Sequence, residues 1–96
     1  MKIHIQTFIL FSLLGGSINT VNAADIAAGE AKGSACFGCH GQEGNSTIPL
    51  HPNLAGQQAN YLVNQLTAFR ENKRVNSTMT GVAKNLSDAD IQNLAA

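Results

Sequence analysis

The stretch Cys36-Phe37-Gly38-Cys39-His40 decides the fold of this chain. Two cysteines separated by two residues and followed at once by a histidine have the spacing at which a polypeptide is covalently attached to a c-type haem. If the stretch lies on a helix, Cys36 and Cys39 stand three residues apart on one face, where two thiols can reach two vinyl groups of one porphyrin. His40 lies near the same face, so its imidazole can bind the iron. A covalently bound haem is therefore the leading hypothesis.

Three other kinds of site use the same residue types. A redox-active pair of cysteines expects a preceding strand and a βαβ context, whereas residues 27–35 are rich in small residues and helical in character. A zinc site would add His51 as a fourth ligand, but adjacent Cys39 and His40 would then have to converge on one tetrahedral ion. A plain disulfide is the third alternative. The motif favours haem attachment over these three.

The N-terminus has the pattern of a cleavable export signal. Lys2 supplies a short positive region, residues 7–14 (TFILFSLL) supply an apolar region, and residues 21–23 (VNA) end in small side chains suited to a cleavage site. The apolar run falls well short of the roughly 20 residues that a membrane-spanning helix needs. We therefore expect a signal peptide over residues 1–23, a domain over residues 24–96, a periplasmic location and no transmembrane anchor after cleavage.

The charge balance, the cysteine count and the chain length limit the possible functions further. The chain has 96 residues, and its six Lys and Arg balance six Asp and Glu, so no basic surface argues for binding nucleic acid. Both cysteines lie in the motif, so no disulfide framework remains once a haem has taken them. A domain this small buries little apolar surface and usually needs a staple such as a disulfide, metal or cofactor. A haem would serve as crosslink and as core.

Capping residues and hydrophobic periodicity predict three main helices. The first begins after Asp25 as its N-cap and runs to about Cys36. Gly29 and Gly33 lie on its stripe, and either glycine could allow another helix to approach closely or simply be tolerated there. The second helix covers residues 58–71, with one apolar stripe formed by Leu62, Leu66 and Phe69.

The third predicted helix and the two connections before it complete the chain. Residues 41–56 have no periodicity and contain three glycines and both prolines, so they form a loop long enough to wrap a ligand. Residues 77–85 (STMTGVAKN) have no clear period, and we expect one helical turn interrupted near Gly81. Residues 87–90 (SDAD) have the pattern of a capping box that opens the last helix.

A haem iron bound by one histidine has a second axial position, and its occupant decides between electron transfer and ligand chemistry. Outside the motif, residues 24–96 offer two candidates, His51 and the single methionine Met79. A lone methionine ordinarily packs in a core. Met79 instead lies in a polar and poorly periodic stretch, where a core methionine is less expected.

These motifs occur together, and in this order, in one family. They are CFGCHG (36–41), PNLAGQ (52–57), YLVNQL (61–66), Met79 and LSDADIQNLAA (86–96). The set resembles the short class I cytochromes c of bacterial periplasms over nearly all of residues 24–96. The resemblance implies an all-α, small cytochrome c fold with three main helices wrapped around one covalently attached haem c. It implies an electron carrier and not an enzyme, with redox proteins of a respiratory chain as partners.

The resemblance also implies roles for particular residues. Cys36 and Cys39 would form the thioether bonds, His40 would be the proximal iron ligand, and Met79 would be the distal one. The backbone carbonyl of Pro52 would accept the ring N–H of His40, a bond that fixes the imidazole and raises its basicity.

Three further expectations follow from the same resemblance. Gly29 would match the glycine at the crossing of the first and last helices, and His51 would be a solvated loop residue without a ligand role. The family's last helix usually continues into aromatic residues, whereas this sequence stops at Ala96. We therefore expect either a short last helix or part of a longer protein, such as a two-haem cytochrome or an oxidoreductase complex. If Met79 does not bind the iron, the haem would instead bind small ligands.

Overall fold

The computed structural model describes residues 23–96, and within that range it contains helices and no strand. Five helices follow one another: α1 (Ile26–Lys32), α2 (Ser34–His40), α3 (Ala59–Arg70), α4 (Ser77–Ala83) and α5 (Asp88–Ala95). The predicted all-α class is confirmed. None of the helices in this part of the chain is long and apolar enough to cross a membrane. The signal peptide predicted over residues 1–23 lies outside the described residues, except for Ala23.

The first predicted helix begins as expected but is interrupted. The Asp25 carboxylate accepts the backbone N–H of Ala28 at 3.0 Å, which confirms Asp25 as the N-cap. A single helix ending near Cys36 is wrong, because the chain tightens into a turn at Gly33 and a second helix follows. The carbonyl of Gly33 accepts the N–H of Cys36 at 2.7 Å, a bond to the third residue along rather than the fourth.

Helix α2 continues through the whole cysteine motif to His40, four residues beyond the predicted end. It stops at Gly41, whose φ of 87° lies in the left-handed region that glycine adopts without strain. The N–H of Gly41 still donates to the carbonyl of Phe37 at 2.9 Å. Both cysteines and the histidine of the motif therefore stand on one continuous helix.

Helix α3 lies within one residue of its predicted bounds at each end. Phe69, the last apolar residue of its stripe, is buried with 7% of its surface exposed. The chain leaves the helix through Asn72, whose φ of 58° is a left-handed conformation that asparagine tolerates.

Helix α4 is longer than expected, because the predicted interruption near Gly81 is absent and the helix runs through this residue. Helix α5 begins as predicted. The Ser87 hydroxyl accepts the N–H of Asp90 at 3.0 Å, while the Asp90 carboxylate accepts the N–H of Ser87 at 3.0 Å. These two bonds confirm the capping box.

Helix α5 organises the packing, because it contacts both α1 and α3, while α4 packs on α3. The contact with α1 is very close: a Cβ added to Gly29 would lie 2.5 Å from the carbonyl carbon of Asn93. The Asn93 side chain also accepts the N–H of Asp25 at 2.8 Å. Of the two glycines left open by the sequence, Gly29 is thus the one that admits another helix. Gly33 faces the ring of Phe37 instead.

The apolar core of the described residues is small. It consists of Phe69, Ala83, Ile91 and Ala95. Polar contacts reinforce it, because Arg70 bonds the Asp88 carboxylate at 2.7 Å and the Leu86 carbonyl at 3.1 Å. These two contacts join the end of α3 to the start of α5. A core of this size supports the expectation that the domain needs a cofactor as a staple.

Candidate haem-binding site

Helix α2 presents the two cysteines at positions i and i+3, with the histidine at i+4. Both thiols are free; Cys36 is half-buried and Cys39 is exposed. Burial raises the pKa of the Cys36 thiol, because the charged thiolate is less well solvated there. Neighbours at these spacings lie on one side of a helix, so the two sulfurs are available to a single group on that side.

His40 is the buried polar residue of the site, with 6% of its surface exposed. Its Nδ1 lies 2.8 Å from the carbonyl oxygen of Pro52. A carbonyl oxygen can only accept a hydrogen bond, so Nδ1 carries a proton, and in the neutral form of the ring Nε2 keeps its lone pair. An imidazole held by a carbonyl at one nitrogen is oriented to bind a metal through the other.

The Pro52 carbonyl belongs to the loop over residues 41–58, which is irregular as predicted but internally bonded. The carbonyl of Gly44 accepts the N–H groups of Leu54 at 2.8 Å and Ala55 at 2.9 Å. The side chain of Asn53 accepts the N–H of Ser46 at 2.6 Å. These bonds close the loop on both sides of Pro52 and fix the acceptor that holds His40.

His51 differs from its expectation as a solvated residue. It is half-buried, and its ring centroid lies 6.1 Å from that of His40, with the ring planes inclined by 58°. It also lines a groove of about 280 Å³ formed by residues 46–49 and 51–53. The sequence could have indicated this position, because His51 directly precedes Pro52. The Pro52 carbonyl accepts a hydrogen bond from His40, so His51 must lie near the His40 ring.

Met79 stands in the first turn of α4 and is half-buried. The side-chain oxygen of Asn76 accepts the backbone N–H of Met79 at 3.0 Å. The structure therefore joins His40 to Pro52 directly, while it places Met79 on a separate helix. No Cα atom of α2 lies within 8 Å of a Cα atom of α3, α4 or α5.

These features fit a haem better than the alternative sites. The described residues contain no group of three or more His, Cys, Asp and Glu side chains able to hold a metal ion, which contradicts the zinc alternative. The absence of strands between residues 23 and 96 removes the βαβ context of a redox-active thiol pair. A haem needs two thiols, an imidazole nitrogen that can bind iron and space beside α2. The motif supplies the thiols and His40, and no Cα atom of α3, α4 or α5 lies within 8 Å of a Cα atom of α2.

Exposed apolar side chains are also consistent with a haem-binding site. In the described part of the chain, the polypeptide leaves six large apolar residues exposed, and four of them lie in the loop, α3 and α4, where a haem could cover them: Ile48, Leu50, Tyr61 and Val82.

Comparison with known proteins decides the family. The sequence matches the family Cytochrome c over residues 26–96. This chain belongs to the cytochrome c family. The family resemblance, the cytochrome c fold and the covalently attached haem c predicted from the sequence are thereby confirmed. The match supports a haem-based role in electron transfer.

The relatives of this cytochrome differ in length. Cytochrome c4 of Pseudomonas aeruginosa is 47% identical over 74 residues, which are 77% of this chain and 37% of that protein. Cytochrome c-554(548) of Halomonas halodenitrificans is 44% identical over 77 residues, 77% of this chain and 93% of that protein. The solved structure of Acidithiobacillus ferrooxidans cytochrome c4 has a TM-score of 0.71 and 34% identity, covering 80% of this chain and 49% of that one. This cytochrome thus spans less than half of the two c4 proteins and most of c-554(548).

Proposed function

We propose that this cytochrome is a periplasmic electron carrier whose single haem c cycles between ferric and ferrous states, and that His40 and Met79 are the residues that would bind its iron. One observation carries the proposal: His40 is buried and its Nδ1–H donates to the Pro52 carbonyl. That bond holds the ring in one orientation and directs Nε2 away from the Pro52 carbonyl, where it could bind iron.

Each residue has a separate part in this mechanism. The haem supplies the one-electron chemistry when it is bound. Cys36 and Cys39 hold it covalently, so it stays with the protein through many cycles. The thioether of Met79 is a soft ligand and favours the ferrous state, which raises the reduction potential. His40 and the Pro52 carbonyl keep the ligand geometry fixed between the two states, because the loop that carries Pro52 is closed by its own hydrogen bonds.

The ligand pair is tested by optical spectroscopy of protein made in a haem-attaching host. Ferric wild type is expected to show the thioether charge-transfer band, Met79→Ala is expected to lose it, and the neighbouring exposed Thr78→Ala is expected to keep it. Persistence of the band in Met79→Ala would exclude Met79 as ligand. Absence of the band in wild type, together with rapid binding of carbon monoxide by the ferrous protein, would favour the ligand-binding alternative instead.

The relatives' lengths support a second candidate, in which this cytochrome domain is part of a longer dihaem protein or oxidoreductase complex. Coverage of only 37% of one cytochrome c4 and 49% of another favours this arrangement. Mass spectrometry of protein from the native periplasm distinguishes the two candidates. A mass equal to residues 24–96 plus one haem supports the single-haem carrier and cleavage after Ala23. A larger mass with two haems supports the dihaem protein.

The partners of a carrier of this kind are other redox proteins. Residues 24–96 contain five Lys and Arg and six Asp and Glu, so the polypeptide has no large net charge to steer a partner over a long distance. We therefore propose docking by short-range contact with proteins of a respiratory chain. Stopped-flow electron transfer to or from a periplasmic partner should then depend weakly on ionic strength. A steep fall in rate with added salt would contradict this form of docking.

A further inference from the structure

The first turn of α4 differs from that of α5, although both begin with a reciprocal pair of hydrogen bonds. In α5 the residue three positions after the N-cap is Asp90, and its carboxylate returns a bond to the N-cap N–H. In α4 the residue at that position is Met79, which has no group for this bond. Thr80 supplies it one position later, accepting the N–H of Asn76 at 3.1 Å.

The side chain of Asn76 holds this turn. Its Oδ1 accepts the N–H of Thr78 and the N–H of Met79, each at 3.0 Å. Residues 71–78 are exposed along their whole length, so no apolar packing fixes the chain before Met79. At the other end of the segment, Arg70 ties Leu86 to α3 through the Leu86 carbonyl at 3.1 Å. The two bonds to Asn76 are thus the main restraint on the backbone of Met79 from its N-terminal side.

We propose that Asn76 is a positioning residue that holds Met79 at the iron and opposes its displacement by other ligands. This inference rests on the proposed axial role of Met79. Thr80 makes the bond that a capping-box Glu or Gln would make, which leaves the third position after the N-cap free for Met79 to have another role. Loss of the Asn76 acceptor would let the first turn of α4 open more often, and the thioether would leave the iron more often with it.

Displacement by added imidazole measures this opening. Imidazole binds ferric iron only after the thioether has left, so its apparent affinity rises in proportion to the opened fraction. Replacing an N-cap residue of this type by alanine typically costs about 1 kcal/mol. At 1.4 kcal/mol per tenfold, Asn76→Ala should tighten the apparent binding of imidazole by about fivefold. Asn76→Ser, which keeps a capping oxygen, should restore most of the wild-type value.

The matched control is Ser87→Ala at the N-cap of α5, which removes the same kind of bond from a helix that does not carry Met79. It should lower the unfolding midpoint of the holoprotein about as much as Asn76→Ala, while leaving imidazole affinity unchanged. Unchanged affinity in Asn76→Ala, or an equal rise in Ser87→Ala, overturns the inference. The charge-transfer band of the wild type reports separately on the proposed function: its absence rejects Met79 as ligand, whereas a normal band with no effect of Asn76→Ala rejects only the positioning role.

Discussion

Replacing Gly29 by alanine tests the close contact between α1 and α5. The added Cβ would lie 2.5 Å from the carbonyl carbon of Asn93 and 3.1 Å from the N atom of Leu94. Ordinary contacts between carbon atoms are about 3.5 to 4.0 Å, so α5 would have to move away by about 1 Å. Both obstacles are backbone atoms, so a side-chain rotation cannot relieve the clash. The same movement would lengthen the hydrogen bond from Asp25 to the Asn93 side chain, which is 2.8 Å in the native contact.

The magnitude follows from two opposing effects. Overpacking of this kind costs up to about 3 kcal/mol, while replacing glycine by alanine inside a helix gains up to about 1 kcal/mol. Gly29→Ala should therefore lower the free energy of unfolding by about 2 kcal/mol. In a domain of this size that corresponds to a fall in Tm of roughly 8 to 16 °C.

The assay is denaturant and thermal unfolding of the holoprotein, followed by circular dichroism and by Soret absorbance. Gly81→Ala is the matched control, because Gly81 lies inside α4 and a Cβ there would meet no atom within 4 Å. It should leave stability unchanged or raise it by up to about 1 kcal/mol. If Gly29→Ala were as stable as Gly81→Ala, the helices would not be held together at this contact as described.

Three further substitutions test the core and its polar supports. Phe69→Ala should cost about 3 to 5 kcal/mol in denaturant unfolding, because the buried ring leaves a cavity; a loss of under about 1 kcal/mol would contradict its place in the core. Arg70→Ala should lower Tm clearly more than Lys73→Ala, since Arg70 bonds the Leu86 carbonyl and the Asp88 carboxylate at the start of α5, while Lys73 is exposed. Equal shifts in Tm would refute this. Hydrogen bonds from Ser87 hold the pKa of Asp90 below its ordinary value of 3.8. The stability that Asp90 contributes is therefore present above pH 3.8 and is lost as pH falls through the lower folded-state pKa. Unfolding midpoints measured across this acid range should fall less steeply for Asp90→Asn than for wild type, and parallel curves would count against this role.

Local chemistry made several features predictable from the sequence. Asp25 and Ser87 are caps whose side chains bond N–H groups only a few residues away, so the pattern alone specifies them. The loop over residues 41–58 was recognisable because its prolines and glycines leave no helical period. The cysteine spacing indicated the cofactor, because attachment to one porphyrin edge requires neighbouring positions on one face of a helix.

Features that depend on distant partners could not be predicted in this way. The helix through Gly81 forms despite a residue of low helix propensity, since Asn76 caps it and α3 packs against it. The interruption of the helix at Gly33 could not be predicted from hydrophobic periodicity, because the helical spacing of the stripe continues across it. The half-buried place of His51 depends on how the loop closes over His40. For Gly81 and His51, a tertiary contact decided between conformations that the local sequence allowed.

The separation of α2 from α3, α4 and α5 has a consequence for the life of the protein in the cell. With no Cα atom of α2 within 8 Å of those helices, the polypeptide by itself leaves that side of its core uncovered. Chains that have not yet received haem should therefore be open to proteases of their compartment, while chains that have been modified resist them. Because the attachment is covalent, this selection happens once for each molecule. The steady-state amount of the cytochrome should consequently follow the supply of haem more closely than the rate at which its gene is translated.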